Sequence, residues 1–538
     1  MPSKTKKEIN TDFIDPKKVK IPEPQRIAVS QYGMVSTAQY NATRSGMQIL
    51  EMGGNAFDAA VACAFSLGVC EPQASGIGGQ TMALLYIKKE DRLVALDGSS
   101  RVPNRALNKD FSSKVSRLHG YRAATVPSTP AVLSYMNDRY GNLTLAEVIK
   151  PAIQIAENGY AITELQRKLQ KRELKNFSKG NAGQFFLRNG EKPYSVGTLF
   201  KQPVLAKTYQ RIADAGIEDF YTGEIAEIIH KDMDTNGGLI HKDDLGQIPY
   251  PIEREPLIGR LGNMMAHTMP PPGAGRTLIE MINILKKFPV KDRNPDTPEG
   301  SLLLAEIIRR AQLDRRDRPF EANFYPQVQD RRMVSNEYSK IVAQQIKTRI
   351  KSSGETTHLS VMDKYGNVVA LTQSIERIYG AKVVTPKLGF LYNNYMSALE
   401  YKDITHPHYL RPNAVPWASV APTIIFKSKK PWLAIGSPGS ERIASSILQV
   451  LIRLNLQSPF DAVAAPRIHC SYDGKVSLEA AFMRDDIPGK LESMGFSIDI
   501  REPNSFYLGC IQMVMAENND FIGVADPRRD GSAGGPKQ

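Results

Sequence analysis

The residues best placed to do chemistry are Glu355-Thr356-Thr357. A basic, poorly patterned run, Lys347 to Ser353, leads into them. Beyond them polar and apolar residues alternate through Thr357, Leu359 and Val361, a turn falls at Asp363-Lys364-Tyr365-Gly366-Asn367, and a second alternating run continues from Val368 to Ser374. This pattern predicts a β-hairpin with Thr356 at the first position of its first strand. If the chain is cut between Glu355 and Thr356, Thr356 gains a free α-amine, whose reference pKa is about 7.7–8.0. Such an amine can take the proton of its own residue's hydroxyl near neutral pH, and the pair is a recognised activated nucleophile. Thr356 is the candidate nucleophile and Glu355–Thr356 the candidate processing bond. On the hairpin alone, a plain strand-opening Thr-Thr pair is the simpler reading.

A nucleophile of this kind needs donors for the oxyanion it creates. Gly436-Ser437-Pro438-Gly439-Ser440 falls between a predicted strand, Trp432–Ile435, and a predicted helix, Arg442–Leu454. Amides in such a turn point outward at a helix N-terminus. His358 lies on the opposite strand face from Thr357 and has no ligand partner in sequence, so it reads as structural. No metal or cofactor signature is present.

These residues need a frame. Asn41–Met52 reads as a helix stopped at Gly53-Gly54. Asn55 caps a second helix with Asp58 at its third position, and this helix, Ala56–Val69, is apolar nearly all round and must be buried. Hairpins are expected at Met82–Ile87 with Arg92–Leu96, Thr423–Phe426 with Trp432–Ile435, and Ile511–Ala516 with Phe521–Val524. Residues 120–260 read as mostly helical, Leu257–His267 as one strand, and Arg276–Lys286 and Ser301–Arg316 as helices. The charge run Arg309–Arg318 reads as a solvated, salt-bridged face. Antiparallel hairpins from both halves, with helices outside, predict an α/β fold: a four-layer α/β/β/α sandwich of two stacked antiparallel sheets. Residues 1–28 read as an extended arm. Residues 29–355 form the large fragment and 356–538 the small one, and 29–538 are expected to intertwine as one unit.

Thr356-Thr357-His358-Leu359-Ser360-Val361-Met362-Asp363-Lys364-Tyr365-Gly366-Asn367 resembles the processing site of the γ-glutamyltranspeptidase family of N-terminal-nucleophile hydrolases. Gly33-Met34-Val35, Gly53 to Ala60, Ser75-Gly76-Ile77-Gly78-Gly79, Pro270 to Gly275, Leu391 to Asn394, Ala421-Pro422-Thr423, Gly436 to Ser440 and Ala525 to Arg528 follow in the family's order. The resemblance implies the sandwich fold, self-cleavage before Thr356, and a threonyl acyl-enzyme. It assigns the nucleophile-side hydroxyl to Ser374, and the oxyanion amides to Gly439 and Ser440, where the family has two glycines. It also marks departures. The family's early carboxylate-binding Arg is Ser99 here, with Arg101 two residues on as a candidate replacement. Its serine pair is Ala418-Ser419, its ammonium-side Asn is Glu376, and the positions after Asn393-Asn394 are Tyr395 and Ala398. Losing charged partners disfavours a zwitterionic γ-glutamyl end, because an unpaired buried charge costs several kcal/mol.

Composition limits the remaining classes. The chain has 538 residues, 41% of them hydrophobic, and 69 basic against 56 acidic residues, a net charge of +13. The charge is spread along the chain without a basic block or a nucleic-acid motif, so no nucleic-acid partner is expected. Four cysteines without ligand spacing read as structural thiols in a reducing compartment. Residues 1–20 lack an apolar signal core, and no run is long enough to span a bilayer. We therefore expect a cytoplasmic location and no membrane partner. The expected function is cleavage of a γ-glutamyl or related small-molecule amide, without cofactor, by hydrolysis or transfer to an amine. The expected product is a heterodimer of the two fragments, with further assembly left open. The alternatives are an acylase for glutaryl-type, dicarboxylic monoamide or poly-γ-glutamate substrates, and an inactive binding or scaffold homologue.

Overall fold

The computed structural model describes residues 18–111, 113–317, 335, 337–340, 356–480 and 486–537. Among them, strands build two seven-stranded antiparallel sheets. The first runs from edge to edge through Ser532–Gly534, Gly33–Thr37, Thr357–Asp363, Val368–Ser374, Gln80–Ile87, Arg92–Gly98 and Ile252–Arg254. The second runs through Ile27–Ser30, Asp520–Ala525, Gln512–Glu517, Lys430–Gly436, Thr423–Lys427, Met264–Thr268 and Leu257–Leu261. Each sheet interleaves strands from both sides of residue 355.

Period-two alternation sorts the side chains into layers. Leu359, Val361, Val369 and Leu371 face outward into a core shared with helix Ala56–Cys70. Met34, Leu84, Met362 and Ala370 face inward and meet Ile424, Ala434 and Val514 between the sheets. The outer face of the second sheet packs Ile425, Leu433 and Met513 against helices Gly275–Leu285, Pro298–Asp317 and Arg442–Arg453. The result is the expected α/β/β/α sandwich.

Helix Ala56–Cys70 is buried along its whole length, and Asn55 and Asp58 close its capping box. The Asp363 carboxylate accepts from the Ala56 amide at 2.8 Å and from the Asn367 side chain at 2.8 Å. The turn of the Thr357–Ser374 hairpin is thereby tied to the start of the buried helix. The four cysteines are buried free thiols. The expected arm is described from Lys18 onward. The first strand begins at Ile27, just inside its expected limit.

Two expectations are corrected. Leu257–His267 is not one strand but a hairpin, Leu257–Leu261 and Met264–Thr268, turning at Gly262 with φ +61°. The run Arg309–Arg318 is not a solvated face over its described part. Arg309 is 2% exposed and Arg315 7%, and Gln312 and Asp314 are also buried. Helix Pro298–Asp317 is wedged between helices Gly275–Leu285 and Asp486–Ser493 and strand Ile468–Cys470. Part of its charge is met within the helix, by Arg309–Glu306 at 3.3 Å and Arg310–Asp314 at 2.9 Å. Helix Pro203–Ala215 was not among the elements expected from sequence.

Candidate active site

Thr356 is 4% exposed and lines a narrow recess with Gln73, Glu376, Arg377 and Phe506. Three contacts fix its position. The hairpin register pairs Thr357 with Gln373, so the next pair along is Thr356 with Ser374. On the helix side, the Thr357 hydroxyl donates to Glu71 Oε2 at 2.5 Å, and Arg529 Nη1 donates to Glu71 Oε1 at 2.9 Å. On the inner side, His358 reaches Thr372 Oγ1 at 2.8 Å and Ser360 Oγ at 3.1 Å. Burial lowers the His358 pKa to about 3, so the ring is neutral at physiological pH. Its imidazole lies against Gly436, where a Cβ would come within 2.3 Å of the ring. This contact brings the start of strand Thr357–Asp363 to the foot of the Gly436–Ser440 turn.

That turn is strained. Gly439 has φ +119° and Ser440 φ +52°, a left-handed conformation that suits glycine better than serine. Helix Arg442–Arg453 follows directly. Among the described residues neither the Gly439 nor the Ser440 amide donates a hydrogen bond. The turn is locked to segment 506–510: Cys510 N donates to Ser437 Oγ at 2.9 Å, and Arg442 Nε donates to Tyr507 O at 2.9 Å. Phe506, at the head of this segment, lines the recess beside Thr356. Two consecutive outward amides at a helix start can stabilise an oxyanion.

The expected substrate-binding residues are dispersed. The Ser374 hydroxyl accepts from the Glu376 amide at 2.9 Å and also hydrogen-bonds the side chain of Tyr395. Tyr395 is fully buried and sits behind Ser374. Glu376 lines the recess with φ +73°, and its side chain is 17% exposed. Burial raises its pKa, which Arg377 and Arg315 oppose. The Ser419 hydroxyl lies 3.2 Å from Ser440 Oγ and accepts from Arg315 Nη2 at 2.8 Å. Arg101 stands at a bridge to Val126, whose amide donates to its carbonyl at 2.8 Å. Glu355 lies outside the described residues.

Comparison with known proteins agrees with this geometry. The γ-glutamyltranspeptidase family model matches residues 42–535. The chain belongs to the γ-glutamyltranspeptidase family. It is 31% identical to a glutathione hydrolase proenzyme of Escherichia coli, over 93% of this chain and 91% of that protein. It is 33% identical to the acylase ACY 1 proenzyme of a Pseudomonas species, over 84% of this chain and 85% of that protein. The cephalosporin acylase of Bacillus halodurans superposes with a TM-score of 0.88 at 28% identity, covering 98% of this chain and 100% of that structure. This membership makes the chain an enzyme of the N-terminal-nucleophile hydrolase class. At the family's early Arg position, the Ser99 hydroxyl donates to Asp97 Oδ1 at 2.5 Å. Sequence reasoning missed Glu71, Arg529 and Arg315. A lone acid closing an all-apolar helix was the available signal for Glu71. Arg315 had none, because its helix read as a solvated surface.

Proposed function

We propose that the chain severs its own Glu355–Thr356 bond and then cleaves γ-glutamyl or related dicarboxylic amides through Thr356. The freed amine takes the Thr356 hydroxyl proton while Oγ attacks the substrate carbonyl. The oxyanion is held by the Gly439 and Ser440 amides. The departing amine takes the proton and leaves an ester on Oγ. Water, or an acceptor amine, then attacks the ester and regenerates Thr356. The observation that carries this reading is a buried strand-opening Thr356 beside Phe506, whose segment is bonded through Tyr507 and Cys510 to a turn with two amides that donate to nothing among the described residues.

Mass spectrometry of the purified protein is the test. Fragments ending at Glu355 and starting at Thr356 are expected, and Thr356→Ala should remain intact and lose essentially all turnover, a fall of at least about 10³-fold. An intact, inactive wild type would favour a scaffold, and normal maturation of Thr356→Ala would move the nucleophile elsewhere.

The acylase reading stays alongside because Ser99 replaces the early Arg and is engaged with Asp97. Comparing γ-glutamyl and glutaryl p-nitroanilides separates the two. Robust turnover of the first alone sinks the acylase reading.

A further inference from the structure

The segment 375–382 carries three residues of the recess wall, Glu376, Arg377 and Ile378. Its backbone is unusual: Glu376 at φ +73°, Tyr379 at +56°, Gly380 at +48° and Lys382 at +63° are all left-handed, and three of the four are not glycine. Such conformations persist only where the surroundings over-determine them. Two anchors hold its amides: Tyr379 N donates to Gln73 O at 3.0 Å, and Arg377 N donates to Asn394 Oδ1 at 3.0 Å. The third anchor is a buried cation. Lys382 is 1% exposed, and the three donors of its ammonium meet three acceptors. It donates to Ile378 O and to Gly380 O at 3.4 Å, and it pairs with Glu173 Oε2 of helix Glu164–Phe177 at 3.3 Å. Glu173 is held in turn by Asn176 Nδ2 at 2.9 Å. Burying an ammonium is costly without a matched anion, and Glu173 supplies that anion. Burial pushes the Lys382 ammonium down to about 8 against the pull of Glu173, so it remains charged at pH 7. Lys382 is not one of the described residues that line the recess.

We propose that Lys382 is a positioning residue: its ammonium, anchored on Glu173, gathers the Ile378 and Gly380 carbonyls and so holds Glu376, Arg377 and Ile378 in the shape that receives the substrate beside Thr356. This rests on the acyl-transfer reading above and deepens it: the recess is shaped by an ion pair that stands outside it.

Hydrogen–deuterium exchange and steady-state kinetics on the purified protein at pH 7 test this. In Lys382→Met the amides of 376–382 should exchange at least about tenfold faster, while those of strand Thr357–Asp363 keep their wild-type rate. For the better of γ-glutamyl and glutaryl p-nitroanilide, KM should rise at least about tenfold with kcat within about threefold, because the wall binds and Thr356 reacts. Lys382→Gly relieves the left-handed backbone but removes the ammonium, and it should behave as the Met variant does. Thermal melting checks folding, and if both Lys382 variants fail to fold, Glu173→Gln, which keeps the lysine and removes its anion, decides by the same readings. Wild-type exchange or wild-type KM in the folded variants overturns the role, as does a loss in Lys382→Met that Lys382→Gly does not share, which assigns the effect to the backbone. Faster exchange in variants of a wild type that neither matures nor turns over leaves the lysine's hold on the wall standing and removes the acyl-transfer reading. Maturation and turnover with unchanged exchange do the reverse.

Discussion

Two buried groups of arginines face opposite demands. In one, Arg467 meets Asp526 at 2.5 Å, and Arg528 meets Glu479 at 2.5 Å and Asp526 at 3.1 Å, all fully buried. In the other, Arg315 hydrogen-bonds a carbonyl and a hydroxyl, and the carboxylates of Glu441 and Glu376 act on it from beyond ion-pair distance. Desolvating a cation is costly, and a matched anion offsets that cost only with good geometry. The first group meets that condition internally and fixes the 463–467 and 526–529 segments to each other. In the second, the longer-range charges of Glu441 and Glu376 offset the burial only in part. Burial alone therefore does not tell how an arginine's charge is answered. The number of its donors already answered by charge does.

The contrast is most directly broken by Asp526→Ala, which strips the shared carboxylate from Arg467 and Arg528. It should cost about 3–5 kcal/mol, read as a lower denaturant midpoint. A loss below about 1 kcal/mol would mean that the carbonyls around these arginines suffice.

Acid titration sharpens the contrast. Burial pushes the Asp526 carboxyl up, but Arg467 and Arg528 outweigh it and hold it below its ordinary value. Its stabilising share is present above about pH 3.9 and is lost as pH falls through its lower folded value. Glu376 behaves oppositely, because burial raises it further than Arg377 and Arg315 lower it. A carboxyl raised in the fold destabilises increasingly as pH climbs from about 4.3 through its folded value. Glu376→Gln should then melt higher than wild type at about pH 7.5, by on the order of 1 kcal/mol, and match it near pH 4. An offset that does not change with pH would remove Glu376 from the under-neutralised group.

The smallest effect is expected at Ser440. Ser440→Gly relieves φ +52° but loses the Ser419 contact, so stability should change by less than about 1 kcal/mol. Turnover should stay within about threefold, because the amide and not the hydroxyl faces the oxyanion. A loss of about 100-fold would make the hydroxyl the working group.

The nucleophile side was legible because it is local. Alternation gave the Thr357–Asp363 and Val368–Ser374 hairpin, while Ser374 was singled out by the family resemblance and the observed register then sets it opposite Thr356. The capping box at Asn55–Asp58 was readable for the same reason. The surroundings of Arg315 were not. Whether Arg315 faces water or protein depends on what stacks over helix Pro298–Asp317, and that is set by elements far away in the chain. A mixed charged helix carries the same pattern in either setting. Glu71 shows the intermediate case: its position after a buried helix was visible, but its partners, Thr357 and Arg529, come from opposite ends of the chain.

The bare Cα at residue 436 has a reach beyond its own sheet. It works as a spacer of fixed thickness, because the His358 ring occupies the volume a methyl group would need. Thickening it by one carbon would press on the His358 ring, two residues downstream of Thr356, and through it on Thr372 and Ser360. The spacing between the strand that follows Thr356 and the 436–440 turn is thus set by a residue with no side chain.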